Sequence, residues 1–454
     1  MASNALERHL ALVGFMGAGK STLGPPLADR LGRTFVSVDS VVEERVGRSV
    51  VEIFESHGEA AFRELEEEAA LDVLSRRPPV VVELGGGALG SGHTCVALAE
   101  HAFTLHLDVT SEEAWARVSH SGRPLARDRE EFDALYAARA SLYGGAADGM
   151  AHDLGGALLA AAGIRFGPHA DARGEAVVAD VRAAEAHGID TAHTVERKTL
   201  AEAERLWEAL RIDRFSTLVA LGGGTTTDLV GFVAATYMRG VDWVAVPSTL
   251  VGQVDASIGG KVGIDIGQGK NLVGAFHWPV ATVIDTALLA TLPEEERRNG
   301  LAEVVKTGLL AGEPFWELVT EEQVRRCAAF KAAICLRDPY ERGERAQLNL
   351  GHTFAHALEA ASDYTVSHGR AVALGLTAAL RVSGLDDELG AVEEVLAPEP
   401  VAVDRDRAWA ALQRDKKAIG GRVRLVLLER PGEPIVTSEI EPERVRAALN
   451  ALIA

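Results

Sequence analysis

Three clusters of residues in this chain have the types and spacing that chemistry needs. The first is Gly14-Phe-Met-Gly17-Ala-Gly19-Lys20-Ser21-Thr22, a glycine-rich run ending in a lysine and two hydroxyls. Such a run lets backbone N–H groups wrap phosphates at a helix N-terminus, with Lys20 reaching the outer phosphates and the Ser21 hydroxyl ligating Mg²⁺. It specifies a nucleotide and leaves the acceptor open. The second is Leu221-Gly222-Gly223-Gly224-Thr-Thr-Thr-Asp228, which suits a dinucleotide pyrophosphate but can equally make a tight turn. The third is scattered: Glu303 ahead of Lys306, His352 and His356 four apart on one helical face, and His368. A carboxylate with imidazoles is the donor set of a catalytic metal, although helical histidines also serve as core or surface residues.

Each cluster needs elements to hold it. The apolar run 10–15 followed by a helical pattern over 21–31 reads as strand, loop and helix. Residues 35–38 read as a second strand, 49–76 as a charged amphipathic helix, and 80–84 and 103–108 as buried strands. Strands alternating with helices at this spacing indicate a parallel sheet covered on both faces. Composition turns to Gly, Ala and His over 144–174, which places a junction near residue 160. Beyond it 175–180, 217–221 and 243–247 read as strands, and from about 293 helices dominate apart from a late strand at 422–428. The expectation is an α/β chain in three parts: 1–160, 161–292 and a mostly helical 293–454.

At 454 residues the chain exceeds a single ordinary core, and 47% hydrophobic with 25% charged residues is a globular balance. A formal charge of −20 opposes encounter with nucleic acid or an anionic membrane, yet a few local cations can still line a phosphate pocket. Cys95, Cys327 and Cys335 show no metal-ligand spacing and imply a reducing compartment. No leader pattern opens the sequence, and no run approaches the roughly 18 apolar residues of a membrane span. A cytoplasmic protein is expected.

Residues 8–160 resemble shikimate kinase. The resemblance rests on the phosphate loop, Asp39 ahead of Glu43-Glu-Arg-Val-Gly-Arg-Ser49, Phe62-Arg63-Glu64, Leu84-Gly85-Gly86-Gly87-Ala88, Gly122-Arg123-Pro-Leu125 and Arg139-Ala-Ser-Leu-Tyr143, in that order. It implies a P-loop fold that transfers phosphate from ATP, with Mg²⁺, to shikimate. Asp39 would orient and help deprotonate the acceptor hydroxyl, Arg63 and Arg139 would clamp the carboxylate, and Gly85, Gly86 and Gly87 would let backbone approach the substrate. Arg123 would meet the transferring phosphate from a lid. In one respect the chain departs from the family, which usually has two acids around the Asp39 strand end, one residue apart. Here the first is Ser37.

The remainder resembles 3-dehydroquinate synthase. The motifs are the 222–228 loop, Arg239-Gly240, Pro247-Ser248-Thr249-Leu250, Val254-Asp255-Ala-Ser-Ile-Gly-Gly-Lys261, Gly269-Lys270-Asn271 through Phe276, and then the Glu303, His352–His356 and His368 segments, on to Lys417. The resemblance implies a Rossmann-like NAD-binding part followed by a mostly helical metal- and substrate-binding part. It assigns zinc (or cobalt) to Glu303, His352 and His368, leaving positions open for substrate oxygens. It assigns NAD to Gly222, Gly223, Gly224, Asp228, Ser248, Thr249 and Lys270, with Asp180, Glu196 and Lys198. The substrate, 3-deoxy-D-arabino-heptulosonate 7-phosphate, falls to Asp255, Lys261, Asn271, Lys306, Lys331, Arg345, Asn349 and His356, with Lys416 or Lys417 as a late cation. The implied chemistry is a redox-neutral cycle. Oxidation by NAD⁺ at a zinc-held carbon is followed by phosphate elimination, hydride return, ring opening and an intramolecular aldol, with His356 in proton relay and Lys261 a further catalytic residue.

Here too the chain departs from its family. Arg370 follows His368-Gly369 where Glu is usual, the lead-in before Gly222 is short, Glu196 and Lys198 stand one residue closer together than expected, and 306–331 and 368–416 are trimmed. Two rival readings stand beside this one. The second half could be a sugar-phosphate cyclase of the valiolone or inosose type, against which Lys331, Arg345 and Asn349 suit a carboxylated substrate. The first could be a nucleotide-binding regulatory module, which would have no need of Arg63 and Arg139. A homodimer through the second half is expected by analogy.

Overall fold

Every residue of the strand His9–Val13 (β1) is buried, and so is every residue of Ala102–Leu107 (β4). Strands buried along their whole length belong to a parallel sheet packed on both faces. The computed structural model describes residues 4–120, 124–267, 269–414 and 423–454, and the chain divides into two bodies, Met1–Arg165 and Phe166–Ala454.

In the first body β1 and β4 join Phe35–Ser37 (β2), Val81–Glu83 (β3) and Gly149–Ala151 (β5) in a parallel sheet of order β2–β3–β1–β4–β5. Leu12 and Ser37 are both in register with Glu83, so the chain leaves β1, β2 and β3 at one level. The segments that follow are therefore gathered at one edge: the glycine-rich loop, the helix Val38–Val46 carrying Asp39, and the 84–87 turn. The helix Val50–Ser75 is started by a reciprocal capping box between Ser49 and Glu52. It is not the single helix that the 49–76 pattern suggests. Gly58, at φ 79° and ψ 173°, breaks it into two stretches.

The second body holds a six-stranded sheet of order β6–β13–β10–β9–β7–β8. Its strands are Ile164–Phe166 (β6), which spans the boundary at Arg165, then Ala176–Asp180 (β7), His193–Val195 (β8), Thr217–Gly222 (β9), Asp242–Pro247 (β10) and Ala281–Ile284 (β13). An antiparallel hairpin, Lys261–Ile266 (β11) with Gly269–Phe276 (β12), packs against the helix Gly224–Thr236. Sequence periodicity did not mark β6, β8, β11, β12 or β13. Three-residue strands are too short to show a period, and most of β12 is exposed on both faces, so no alternation develops.

From Glu294 the body is helical: Glu294–Ala311, Thr320–Arg337, His352–Ala361, His368–Ser383, Asp386–Leu396 and Arg405–Arg414. The late strand begins at Leu425 and is followed by a partner, so that Leu425–Arg430 (β14) and Glu433–Thr437 (β15) form a hairpin. One apolar core runs through these helices, including Val305, Phe354, Leu358, Val372 and Leu376. The start of the helix His368–Ser383 lies directly on Glu294–Ala311. A Cβ on Gly369 would fall 2.1 Å from the Cα of Asn299, so only glycine permits the approach that brings His368 beside Glu303.

Candidate active sites

In the first body Gly14, Gly17 and Gly19 all have positive φ, and a Cβ on Gly14 would lie 2.6 Å from the Leu107 carbonyl oxygen. Lys20 begins the helix Lys20–Arg30 and is buried, its ammonium donating to the carbonyls of Gly14 at 2.7 Å and Phe15 at 3.2 Å. Thr22 closes the first turn through its N–H to Gly19 at 3.1 Å. The Ser21 hydroxyl donates to Glu83 at 2.7 Å.

Beyond the loop, a cavity of about 570 Å³ is lined by Arg63, Glu66, Gly86, Gly87, Arg139 and Tyr143. Arg63 is held by Glu66 at 2.6 Å and Glu59 at 2.8 Å. A Cβ on Gly87 would sit 2.3 Å from the Arg63 guanidinium carbon, so the glycine leaves room for the side chain to cross. Arg139 donates to the Gly86 carbonyl at 3.2 Å, and the Tyr143 hydroxyl donates to the same oxygen at 2.6 Å. Burial pushes the Tyr143 phenol up to about 12, which keeps it a donor. Burial also lifts the Glu66 carboxyl despite Arg63, and its buried Oε1 has no hydrogen-bond partner among the described residues. Asp39 lies in the first turn of Val38–Val46 and faces the same 85–87 turn. Two guanidiniums, an acid and an open backbone turn thus converge as an anionic acceptor requires.

In the second body Glu303 is wholly buried and divides its carboxylate between two tasks. Oε2 pairs with Lys306 at 2.5 Å, while Oε1 lies 3.4 Å from His352 Nε2 and 3.2 Å from His368 Nε2. His352 Nδ1 is 3.1 Å from the Leu350 carbonyl, which makes Nδ1 the donor and leaves Nε2 able to ligate. His368 Nδ1 lies 3.7 Å from Glu359. Burial opposes charge on His368, yet hydrogen bonds to Glu303 and Glu359 raise it to about 10. The three donors lie within 4.8 Å of one another. One carboxylate and two imidazoles converging in a buried, cation-favouring spot fit zinc, with ligand positions to spare.

His352, His368, Lys306 and Glu359 line a cavity of about 1170 Å³, with Glu303 buried behind them. Asp255, on the turn Gly252–Ala256, accepts from Lys331 at 2.8 Å and lies 3.5 Å from Lys306. Burial raises its carboxyl, but the two ammonium groups outweigh that and take it down to about 2. Lys261 pairs with Glu341, Asn349 also donates to Glu341 at 3.3 Å, and Arg345 is buried against the Gly259 and Pro339 carbonyls. His356 lines the same cavity, its ring 5.6 Å from that of His352. Gly223 and Gly224 open the helix Gly224–Thr236 onto the cavity, while Gly222 sits behind them and accepts from Ser248 N–H at 2.9 Å. Asp180, Glu196, Ser248 and Thr249 line the wall nearby. Lys198 bonds Asp228 at 2.7 Å and also Asn271, linking two expected ligand contacts. Lys270 pairs with Glu359 at 3.2 Å.

Sequence reasoning missed Glu59, Glu66 and Tyr143 in the first body and Glu341 and Glu359 in the second. Glu66 follows Arg63 by three residues on one helix, a spacing that could have found it. Glu359 lies seven residues beyond His352, on the same helical face. Glu341 sits in a loop at φ 53°, where no periodicity exists. Arg123, Lys416 and Lys417 lie outside the described residues.

Residues 189–299 match the family model for the 3-dehydroquinate synthase N-terminal domain, and 300–418 that for its C-terminal domain. Over 288 residues the chain is 44% identical to the 3-dehydroquinate synthase of Halorhodospira halophila, covering 57% of this chain and 81% of that protein. The chain belongs to the 3-dehydroquinate synthase family. Residues 16–155 match the shikimate kinase family model, so this synthase carries a kinase domain and is a bifunctional enzyme of aromatic biosynthesis. Among solved structures, 2-epi-5-epi-valiolone synthase from Streptomyces hygroscopicus, with NAD⁺ and Zn²⁺ bound, is similar at a TM-score of 0.56 and 25% identity. That likeness spans 64% of this chain and 96% of the other. A 2-deoxy-scyllo-inosose synthase complexed with carbaglucose-6-phosphate, NAD⁺ and Co²⁺ shares the fold at 0.56 and 23%, over 63% of this chain and 96% of that one. The 44% identity to the Halorhodospira halophila dehydroquinate synthase exceeds that to either of these two cyclases. Within the synthase half Arg370 turns its guanidinium to the carbonyls of Glu399 and Pro400, at 3.2 and 3.3 Å.

Proposed function

We propose that the N-terminal site phosphorylates shikimate to shikimate 3-phosphate with ATP and Mg²⁺. The C-terminal site, on the same reading, converts 3-deoxy-D-arabino-heptulosonate 7-phosphate to 3-dehydroquinate with release of phosphate, using NAD and zinc or cobalt. The observation that carries the second activity is Glu303 Oε1 lying 3.4 and 3.2 Å from the Nε2 atoms of His352 and His368, two imidazoles that share a cavity with Lys261, Lys306, Lys331 and Arg345.

When bound, the metal and dinucleotide supply an acidified hydroxyl and a temporary store for hydride. Everything else falls to this chain's own residues. Lys261, Lys331 and Arg345 face the carboxylate and phosphate charges, with Asn349 and Asn271 fixing orientation. Lys306, locked between Glu303 and Asp255, holds the Glu303 carboxylate ionised. His356, at the cavity surface, moves the proton at the leaving phosphate. Gly222, Gly223 and Gly224 receive the pyrophosphate at a helix N-terminus, with Asp180, Glu196, Lys198, Asp228, Ser248, Thr249 and Lys270 around it.

On the kinase side Lys20 and the 14–19 loop cradle the phosphates, and the Ser21 hydroxyl is a hard oxygen donor of the kind magnesium takes. Asp39 takes the acceptor proton, and Arg63 and Arg139 hold the acceptor carboxylate. Arg123, and Lys416 or Lys417, carry their proposed roles from the sequence. The working segments are 1–160, 161–292 and 293–454, which the division at Arg165 and the run of helices from Glu294 support. We further propose a cytoplasmic homodimer acting on small molecules. No helix among the described residues is long and apolar enough to cross a membrane.

The test is two assays on the purified chain. One gives the seven-carbon phosphate with NAD⁺ and Zn²⁺ and scores dehydroquinate; the other gives shikimate, ATP and Mg²⁺ and scores ADP. Turnover in both supports the reading, and silence in either removes that half of it.

A further inference from the structure

The kinase half lacks an acid where the resemblance expects one, at Ser37, but the structure holds a carboxylate level with it. Glu83 is the last residue of β3, and its Cα is the register partner of Ser37 on β2 and of Leu12 on β1. Adjacent strands lie roughly 4.8 Å apart. A glutamate on β3, longer by one methylene than aspartate, therefore reaches the region an aspartate on β2 would serve. It also lies nearer the phosphate loop, because β3 is the strand beside β1. The side chain does reach there: the Ser21 hydroxyl donates to Glu83 Oε1 at 2.7 Å. Ser21 is the residue after Lys20, whose hydroxyl is the metal ligand of a phosphate loop.

We infer that Glu83 is the magnesium-organising acid of this kinase, standing in across the sheet for the acid missing at Ser37. It accepts from Ser21 and presents its other oxygen to the metal or to water bound on it. In P-loop enzymes the metal is held by the loop hydroxyl and an acid at the end of a neighbouring strand, and hard oxygen donors are what Mg²⁺ selects. The inference rests on the kinase reading above and concerns metal, whereas that reading concerns the acceptor. The plainer role for Glu83, holding the Ser21 hydroxyl in place, predicts something different and can be separated.

The experiment measures Mn²⁺ binding to the full chain saturated with ADP, from the free-Mn²⁺ signal in electron paramagnetic resonance. Glu83→Gln, Ser37→Asp and the double variant are compared with the unaltered chain. Loss of a residue that organises a metal from its outer shell weakens binding about 10- to 100-fold. Glu83→Gln should do so while leaving ADP affinity measured without metal unchanged. Ser37→Asp placed in the Glu83→Gln chain should restore Mn²⁺ affinity, since it returns the acid to its other position. Unchanged Mn²⁺ affinity in Glu83→Gln overturns the inference. So does an equal loss of metal-free ADP affinity that Ser37→Asp fails to rescue, which would mark Glu83 as a loop tether. A chain that binds Mn²⁺ with ADP through Glu83 yet shows no shikimate-dependent ADP release would refute the acceptor reading and leave the metal role standing.

Discussion

Lys306 lies one helical turn beyond Glu303, and its ammonium closes a 2.5 Å ion pair with Oε2 of that carboxylate, both side chains buried. The pair faces Oε1 toward the histidines and supplies the positive charge that keeps a buried carboxylate ionised. Removing one partner of such a pair costs about 3–5 kcal/mol, because the other charge is left uncompensated. Lys306→Met should therefore destabilise the second body by that order. Tryptophan fluorescence during urea unfolding reads it selectively, since Trp207, Trp243, Trp278, Trp316 and Trp409 belong to the second body and only Trp115 to the first. An unchanged midpoint would mean the pair is dispensable.

His352→Ala and Glu303→Ala each delete one donor of a three-donor set. Zinc measured per chain after dialysis should fall from about one to near zero. Dehydroquinate formation should vanish while shikimate-dependent ADP release persists. Loss of both activities in either variant would argue against independent sites.

Gly369 has its absent Cβ 2.1 Å from the Asn299 backbone, a neighbour that cannot swing aside. Gly369→Ala should cost about 1–3 kcal/mol through overpacking and move His368 away from Glu303. The measurable result is weaker zinc retention against a graded chelator. Retention equal to the unaltered chain would show that the helix start can shift without moving its histidine.

For the kinase, Lys20→Ala should abolish ADP release and leave dehydroquinate formation intact. Arg139→Lys keeps the charge but loses the planar fork, and a hydrogen bond to a charged group contributes about 1.5–3 kcal/mol. The KM for shikimate should then rise about tenfold or more, with the KM for ATP unmoved. A rise in both would place Arg139 at the nucleotide rather than at the acceptor.

Much of this was legible in the sequence, for identifiable reasons. A glycine-rich loop ending in a lysine, or two histidines one helical turn apart, is a local pattern, so Gly14 to Thr22 and the His352 helix stand out in contiguous letters. Strands such as β1, β4 and β10 are mostly buried and mostly apolar, and read as such. The hairpin β11–β12 was not legible, because its exposed outer strand carries no alternation. Nor was the break at Gly58, since a glycine in an acidic helical pattern does not reveal its φ. The acids beside Arg63 and His368, Glu66 and Glu359, were hidden because an acidic residue on a helix ordinarily means a solvated face. The change at Arg370 looked like a reversed charge beside a metal ligand, and only its contacts with the carbonyls of Glu399 and Pro400 reveal where the charge goes.

The alignment of Ser37 with Glu83 across β2 and β3 bears on how such proteins are compared. Along the chain the two residues stand 46 places apart, and a pattern that scans letters in order scores one as a loss and the other as noise. Across the sheet they are neighbours, so a functional group can change strands while its destination in space barely moves. Motif inventories for parallel-sheet enzymes would then need reading in two directions, down each strand and sideways at each rung, before a missing acid is taken as a missing activity.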